Sequence, residues 1–348
     1  VGGRVHRRSW VRVMPRTYRR PMRAWRVHEH GEPLEVLRWD AEVVPPAPGP
    51  GQVRLAVEAC ALNFADSLLC LGTYQEHPPL PFAPGLEVCG RVEAVGAGVD
   101  LPIGRRVIGL PALPHGGYAD ACLCAASDVF PVPDDVDAAV AAALPVTYQT
   151  GWFALHRRGA LQAGETVLVH AGAGGVGSAA IELAGAAGAR VLATAGGPEK
   201  VARCLALGAE QAFDYRAGDF VEAVNDATAG RGADVIFDPV GGDTFDRSRR
   251  CIAWEGRILV IGFAAGRPAE APTNHLLVKN YSVVGVHWGG YRTRDPGLVQ
   301  RCHDELLELL AAGAIHPLVS AERPFTEAAA ALADLTGRAT TGKVVLRR

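Results

Sequence analysis

The stretch that decides the fold is TVLVHAGAGGVG, residues 166–177. The run TVLV is short, mostly apolar and β-branched, which predicts a buried strand. It leads into a turn in which four of the eight residues from 170 to 177 are glycine. The following VGSAAIELAGAAG predicts a helix. A strand that enters a helix through a turn with almost no side chains indicates that a ligand lies against the bare backbone.

The glycines of this turn form a complete G-x-G-x-x-G motif at Gly172, Gly174 and Gly177, with Gly175 and Val176 inside it. The motif alone is weak evidence, but here it follows a predicted strand and opens a predicted helix, as a dinucleotide cradle requires. Gly172 allows the tight turn, Gly174 lets a pyrophosphate approach, and Gly177 lets the helix pack on the sheet. Free backbone N–H groups and the helix dipole then face the phosphates.

The end of the next strand indicates which dinucleotide binds. An NAD site carries an acidic residue there to hold the ribose 2′-hydroxyl, whereas residues 193–197 read ATAGG and contain no carboxylate. Lys200 follows, in a chain with only three lysines against 32 arginines. A lysine at this point suits a 2′-phosphate, although it could also be an ordinary solvated helix residue. We therefore expect NADPH as the cofactor.

Outside this unit the hydrophobic period changes along the chain. From 22 to about 133, short strands alternate with Gly- and Pro-rich turns, which predicts a compact β-barrel, with a helical insert near 63–71. From about 136, strands and helices alternate, which predicts βαβ units and a parallel sheet. An amphipathic helix at 297–312 and a last strand in KVVLRR complete an α/β chain.

Composition excludes several classes of partner. The 348 residues carry a formal net charge of −2 and no apolar run of about 18 residues, so we expect neither a nucleic acid nor a membrane as a partner. Eight cysteines lack any C-x-x-C spacing, and no secretory segment is recognisable, which favours free thiols in a reducing, cytoplasmic compartment.

Residues 1–21 form a basic extension with seven arginines and no acidic residue. An arginine-rich transit peptide is one interpretation, although the segment has a single serine. The interpretation we favour is that the extension is not part of the fold and that the natural start is Met22, directly before the strand-like RAWRVHEHG.

The barrel followed by a dinucleotide unit resembles the medium-chain dehydrogenase/reductase superfamily. Within it, VLVHAGAGGVG, ATAGGPEK, LGAEQAFDY and NHLLVKNYSVVGVHWG are similar to the zinc-free NADPH:quinone oxidoreductase branch. The resemblance implies a GroES-like catalytic domain, 22–146 and 285–348, interrupted by a Rossmann NADPH-binding domain, 147–284. It also implies a homodimer that pairs through the apolar segment 281–288, which would otherwise be an exposed edge strand.

The metal ligands of the zinc-dependent relatives are missing from the matching positions. Asn63 stands where those relatives carry a cysteine, and Leu86 where they carry a histidine. Residues 96–115 contain no cysteine for a structural zinc site. We therefore expect no metal. Without a Lewis acid to hold an alkoxide, the favoured acceptor is one that stabilises its own charge, such as a quinone or a conjugated enone.

The resemblance implies four residues around the reacting groups. Asn63 and Asp66 match the N-x-x-D of the family beside the nicotinamide, Tyr74 matches a tyrosine that lines the substrate cleft, and Thr147 matches a threonine near the nicotinamide carboxamide. Each has an alternative structural role: helix capping for Asp66, barrel packing for Tyr74 and a helix hydroxyl for Thr147.

Four further residues are implied at the cofactor. Tyr215 matches a tyrosine near the 2′-phosphate, and Gly262 with Phe263 follows a strand that ends at the nicotinamide. Lys343 matches a basic residue at the cofactor cleft.

These observations predict transfer of a hydride from NADPH to a quinone or an enone as small-molecule substrate, with the proton supplied by water because no general acid is evident. A 2-enoyl thioester reductase is an alternative, weakened because Leu68 stands where related enoyl reductases carry a tyrosine. A non-catalytic NADPH-binding protein is a second alternative, which Asn63, Tyr74 and Thr147 argue against.

Overall fold

The computed structural model describes residues 21–337 and 339–348; the basic extension predicted at 1–21 lies outside them except for Pro21. The described chain contains two six-stranded sheets and one two-stranded sheet. The strands are β1 (Met22–Val27), β2 (Leu37–Val43), β3 (Gln52–Ala61), β4 (Val88–Val95), β5 (Arg106–Pro111), β6 (Ala121–Pro131), β7 (Thr166–Val169), β8 (Arg190–Ala195), β9 (Gln211–Asp214), β10 (Ala233–Asp238), β11 (Ile252–Val260), β12 (Ser282–Gly285), β13 (Val319–Pro324) and β14 (Lys343–Arg347).

The helices lie between these strands. They are α1 (Pro33–Val36), α2 (Phe64–Leu71), α3 (Ala138–Ala143), α4 (Pro145–Trp152), α5 (Gly175–Ala186), α6 (Pro198–Ala206), α7 (Phe220–Ala227), α8 (Gly242–Ser248), α9 (Thr273–Lys279), α10 (Tyr291–Arg294), α11 (Pro296–Ala311) and α12 (Ala328–Thr336). A π-helical stretch, Phe153–Arg158, extends α4. Within residues 21–337 and 339–348, no helix combines the length and apolarity that crossing a membrane requires.

One six-stranded sheet, antiparallel except for its β13–β14 pair, closes into a barrel. Its strand order is β13-β14-β3-β4-β5-β6, and β3 also pairs with β6, so β3 to β6 form a closed ring. Inward residues of these strands, such as Leu55, Val88 and Cys122, are buried together. The expected barrel of short strands is confirmed, as is the helical insert, α2.

The parallel sheet has the order β12-β11-β10-β7-β8-β9, with helices between successive strands. The central strand β7 is buried on both faces: Val167 and Val169 belong to one core cluster and Leu168 to another. Burial on both faces explains why this strand reads as a continuous apolar run. The α/β fold, a GroES-like barrel with a Rossmann-type sheet, is confirmed.

The C-terminal segment returns to the barrel. β12 is still an edge strand of the parallel sheet, whereas β14 pairs antiparallel with β3, with Val345 opposite Ala61. At the start of β14, the Gly342 N–H donates to the Ala173 carbonyl at 2.7 Å. The return therefore places the end of the chain against the glycine turn. The domain limits at 146/147 and 284/285 stay predictions.

Candidate cofactor and active site

The glycine turn is too tight for side chains at two of its positions. A Cβ at Gly177 would overlap the carbonyl oxygen of Ala171, and one at Gly172 would lie 2.9 Å from the Cys204 Sγ and 3.1 Å from the Ala193 Cβ. These glycines let α5 pack closely on the sheet. The turn has the steric form of a dinucleotide cradle.

The start of α5 presents its backbone donors to this turn. The helix begins at Gly175 with Gly174 as its N-cap residue. The first N–H groups of a helix, here those of Gly175, Val176 and Gly177, have no acceptor within the helix. Together with the helix dipole they favour a negatively charged group. The cradle residues therefore fit the pyrophosphate of a dinucleotide.

The end of β8 meets the end of β9 beside this cradle. The Tyr215 hydroxyl lies 2.5 Å from the position a Gly196 Cβ would take, and the Arg216 Nε lies 3.0 Å from it. Asp214, which pairs with the last residue of β8, is also here. Its Oδ1 accepts the N–H groups of Gly197 and Arg216 at 2.9 Å each, and these bonds lower the pKa of the carboxyl. The Asp214 carboxylate therefore holds the loop after β8 against the residues that follow β9.

Lys200 lies in the first turn of α6 and is half-buried. It follows the same loop, which also contacts Tyr215 and Arg216. Three side chains suited to a phosphate thus come from the first turn of α6 and from the residues that follow β9. Sequence reasoning missed Arg216, although its position directly after Tyr215 was a usable signal.

His170, the residue before the turn, is fully buried and joins three elements. Its Nε2 lies 2.8 Å from the Ser248 Oγ, and its Nδ1 lies 2.9 Å from the Thr194 Oγ1. Ser248 donates its own proton to the Thr244 carbonyl, so Nε2 carries the imidazole proton and Nδ1 accepts from Thr194. Burial lowers the pKa of His170 to about 4. The neutral ring therefore fixes the end of β7 to β8 and α8.

On the barrel side, a buried ion pair faces the cradle. The Lys343 Nζ lies 2.7 Å from the Glu87 Oε1, and it donates to the Asn63 Oδ1 at 2.7 Å and to the Leu62 carbonyl at 2.6 Å. Asn63 donates its amide to the same Glu87 Oε1 at 2.9 Å, and the other carboxylate oxygen accepts the Val146 N–H. Glu87 was not among the predicted site residues. The Lys343 ammonium is thus held by internal oxygens.

Asp66 caps the start of α2. Its Oδ2 accepts the Asn63 N–H at 2.8 Å and the Tyr118 hydroxyl at 3.2 Å, and its Oδ1 accepts the Gly85 N–H at 3.0 Å. The side chain is completely buried, and burial raises the pKa of Asp66 to about 6 against the opposing effect of these bonds and of Lys343. The structural alternative for Asp66, helix capping, is what the geometry shows.

The barrel-side residues contact the glycine turn directly. A Cβ at Gly175 would lie 3.1 Å from the Lys343 Cδ and 3.2 Å from the Thr147 Cγ2. Thr147 is buried and donates its hydroxyl to the Ala143 carbonyl at 2.9 Å. The first turn of α5 therefore packs against both residues, which places the predicted cofactor and acceptor sides together.

The remaining predicted residues lie at the rim of this region. Tyr74 follows α2, is half-buried and packs against the barrel core. Gly262 and the exposed Phe263 follow β11 at the carboxyl edge of the parallel sheet, where ligands bind in such folds. The Phe263 ring contacts the turn at Gly241, 2.9 Å from where a Cβ would stand. The structure thus places Tyr74 on the barrel and Phe263 on the Rossmann side.

No group of three or more His, Cys, Asp or Glu side chains within residues 21–337 and 339–348 is arranged to hold a metal ion. At the positions where zinc-dependent relatives carry ligands, the side chains are the Asn63 amide and the Leu86 hydrocarbon. The carboxylate beside them, Glu87, contacts the Lys343 ammonium.

Comparisons with known proteins agree with this architecture. The alcohol dehydrogenase GroES-like domain model matches residues 49–134, and the zinc-binding dehydrogenase model matches residues 175–309. Quinone oxidoreductase-like protein 2 of Bos taurus is 40% identical over 347 residues, 99% of this chain and 98% of that protein.

Two solved structures have the same fold over most of the chain. Mycobacterial Rv1454c, complexed with NADPH, is 34% identical with a TM-score of 0.87, covering 94% of this chain and 100% of that one. Escherichia coli quinone oxidoreductase, complexed with NADPH, is 30% identical with a TM-score of 0.85 and the same coverage. The chain belongs to the quinone oxidoreductase branch of the medium-chain dehydrogenase/reductase superfamily.

Proposed function

We propose that this protein is an NADPH-dependent, zinc-independent reductase of quinones or other conjugated carbonyl compounds. The observation that carries the proposal is the contact of the cradle helix, at Gly175, with Thr147 and Lys343. That contact sets the dinucleotide cradle against the barrel, where an acceptor can meet the nicotinamide. The NADPH complexes of the mycobacterial and Escherichia coli proteins support the choice of cofactor.

Preference for NADPH over NADH rests on the loop after β8. Lys200, Tyr215 and Arg216 surround the place of the ribose 2′-substituent, and their donors suit a phosphate. Asp214, the carboxylate nearby, already accepts two backbone N–H groups, so its lone pairs are partly used within the loop.

Bound NADPH would supply the hydride, and the chain would orient the reactants. The N–H groups at the start of α5 would bind the pyrophosphate, Gly262 and Phe263 would lie at the nicotinamide, and Tyr74 would line the acceptor region. Glu87 and Lys343 neutralise each other, while Asn63 and Leu86 stand in place of a cysteine and a histidine. This set of side chains supports zinc independence.

The test is NADPH oxidation by purified protein with three acceptor classes: quinones, enones and 2-enoyl thioesters. We expect turnover with the first two, and no loss of rate after treatment with a chelator. Turnover of enoyl thioesters alone would favour the alternative reductase. One zinc per chain by elemental analysis, with activity removed by the chelator, would contradict zinc independence.

We also propose that the protein is a homodimer. β12 is an edge strand of the parallel sheet, and α9, directly before it, exposes Leu277 and Val278 at 80% and 74%. Pairing with a second copy across a two-fold axis would cover both features.

A further inference from the structure

The reduction of a conjugated carbonyl needs a proton as well as a hydride, and the site described above contains no evident donor. Building on the proposed function, we propose that His287 is the catalytic proton donor to the acceptor. The proposal rests on where two neighbouring strands end and on one contact across the cleft.

The first observation is the position of His287 on the sheet. β11 and β12 run parallel with Val260 opposite Gly285, and the Val286 N–H donates to the Val260 carbonyl at 3.1 Å. His287 therefore leaves the carboxyl edge beside the residues that follow β11, which are Ile261, Gly262 and Phe263. Gly262 and Phe263 are the predicted neighbours of the nicotinamide. His287 thus stands next to the predicted source of the hydride.

The second observation is a contact that crosses from the Rossmann side to the barrel. The His287 Nε2 lies 3.1 Å from the Gln75 Nε2. Gln75 directly follows Tyr74, the predicted wall of the acceptor region, and is 212 residues away in sequence. The other ring nitrogen, Nδ1, lies on the side of Gly290, 3.3 Å from the position of its Cβ. Nε2 is therefore the ring atom that faces across the cleft.

The chemistry of the two side chains suits this role. His287 and Gln75 are both exposed, so water can return a proton to the ring after each turnover. The Gln75 amide nitrogen can only donate, so Nε2 of the neutral ring accepts in this contact. Protonation of the ring breaks the contact with Gln75 and leaves an Nε2–H that faces the cleft. Histidine is also the side chain that most often acts as a general acid near neutral pH. Charged residues on the adjoining segments are Glu76, Arg292 and Arg294.

The step balances as follows for an enone. The hydride from NADPH forms a C–H bond at the β-carbon, and the electron pair of the C=C bond moves toward the carbonyl oxygen. The Nε2–H bond of the His287 imidazolium then breaks, and its proton forms the C–H bond at the α-carbon. NADPH is oxidised, the enone is reduced to a saturated ketone, and the neutral imidazole takes a proton from water. With a quinone, the proton goes to the oxygen that has gained charge.

The test compares His287→Asn, which removes the acid, with Gln75→Ala, which removes the contact and keeps the imidazole. With an enone, we expect kcat to fall on the order of 100-fold in His287→Asn and about threefold or less in Gln75→Ala. In D₂O, an α-substituted enone should give one α-stereoisomer with wild type and a mixture with His287→Asn. Retention of wild-type kcat and selectivity in His287→Asn, or equal losses in both variants, would overturn the proposal.

A second readout is independent of turnover. The imidazole Cε1–H signal of His287, assigned by its absence from His287→Asn or His287→Gln, should shift when the saturated ketone is added to the cofactor-free protein. The same addition should leave the signal of buried His170 unmoved. No shift of the His287 signal contradicts the proposal. If wild type reduces none of the acceptors, the proposed function fails, and this shift alone decides whether His287 lies at an acceptor site.

Discussion

We expect selectivity for the cofactor to depend on single side chains near the end of β8. We expect Lys200→Ala to weaken NADPH binding by tenfold to a hundredfold, because one charge-assisted contact contributes about 1.5–3 kcal/mol, and to leave NADH binding unchanged. Arg216→Ala should act in the same direction. Fluorescence titration with both cofactors measures this.

The matched control is Arg203→Ala, which removes an exposed cation one turn further along α6. It should change neither affinity. An equal loss of NADPH and NADH affinity in Lys200→Ala would show that Lys200 supports the loop and does not contact the phosphate.

The buried Asp66 carboxyl should make folding stability depend on pH. Its pKa is raised from 3.8 to about 6 in the folded chain, so the folded state holds the proton more tightly than the unfolded state. The contribution of Asp66 is therefore intact below about pH 4 and is lost as pH rises through 6. The shift corresponds to a cost on the order of 3 kcal/mol.

The measurement is the free energy of unfolding, by denaturant, of wild type and Asp66→Asn at pH 4 and pH 7. The variant loses an acceptor at both pH values but has no group that titrates there. Relative to wild type, it should gain stability between pH 4 and pH 7. A constant difference would mean that Asp66 keeps an ordinary pKa.

For single side chains, the sequence indicated which residues to expect in the site better than it indicated which other residues they contact. Asn63, Asp66 and Lys343 were predicted as site residues. The sequence did not show that Asn63 and Lys343 share Glu87 as a partner, because a motif comparison treats Glu87 only as the residue after Leu86. No local pattern shows that a lysine 256 residues away reaches that carboxylate. Such pairs become visible only when β14 is paired with β3.

Among the elements, α5 offers a direct test of the glycine cradle. Gly177→Ala places a methyl group against the Ala171 carbonyl, so the turn or the helix must move. We expect a fall in stability and at least a tenfold loss of NADPH affinity. Gly185→Ala, near the other end of α5, meets no atom within 4 Å and should stabilise the protein by about 0.5–1 kcal/mol through helix propensity.

Thermal unfolding and NADPH titration of Gly177→Ala and Gly185→Ala test this prediction. Their chemical change is identical, so a different outcome isolates the steric role of the turn. Equal behaviour of Gly177→Ala and Gly185→Ala would contradict a tight cradle at Gly177.

The helices and strands that the sequence predicted well have a strong hydrophobic periodicity or clear boundary residues. The strand β7 and the helix α11 were expected close to their observed limits, and α11 begins at a proline. By contrast, α8 begins with Gly242 at φ 53°, after Gly241 at φ 69°, and glycines indicate a turn. The edge strand β9 has four half-buried residues and no clear alternation. The secondary structure of such segments is decided by tertiary packing and not by the local sequence.

For the whole molecule, one of the core clusters spans both sheets. The largest buried cluster runs from Ala59 and Ile108 in the barrel through Tyr148 to Val167 and Phe237 in the parallel sheet. The Arg292 guanidinium, beyond β12, also binds Asp128 of the barrel, with Nη2 to Oδ2 at 2.7 Å. These contacts hold the cleft between the two sheets in place from within one chain.

The exposed surface beside β12 leads to the last prediction, which concerns assembly. Light scattering at micromolar concentration should give the mass of a dimer, because an uncovered edge strand next to exposed apolar side chains favours association. The double variant Leu277→Glu/Val278→Glu places two charges on this surface and should shift the protein toward monomer. Leu34→Glu, at a leucine that is 62% exposed on α1, should leave the dimer intact. A wild-type monomer, or a dimer that withstands the double variant, would contradict an interface through α9 and β12.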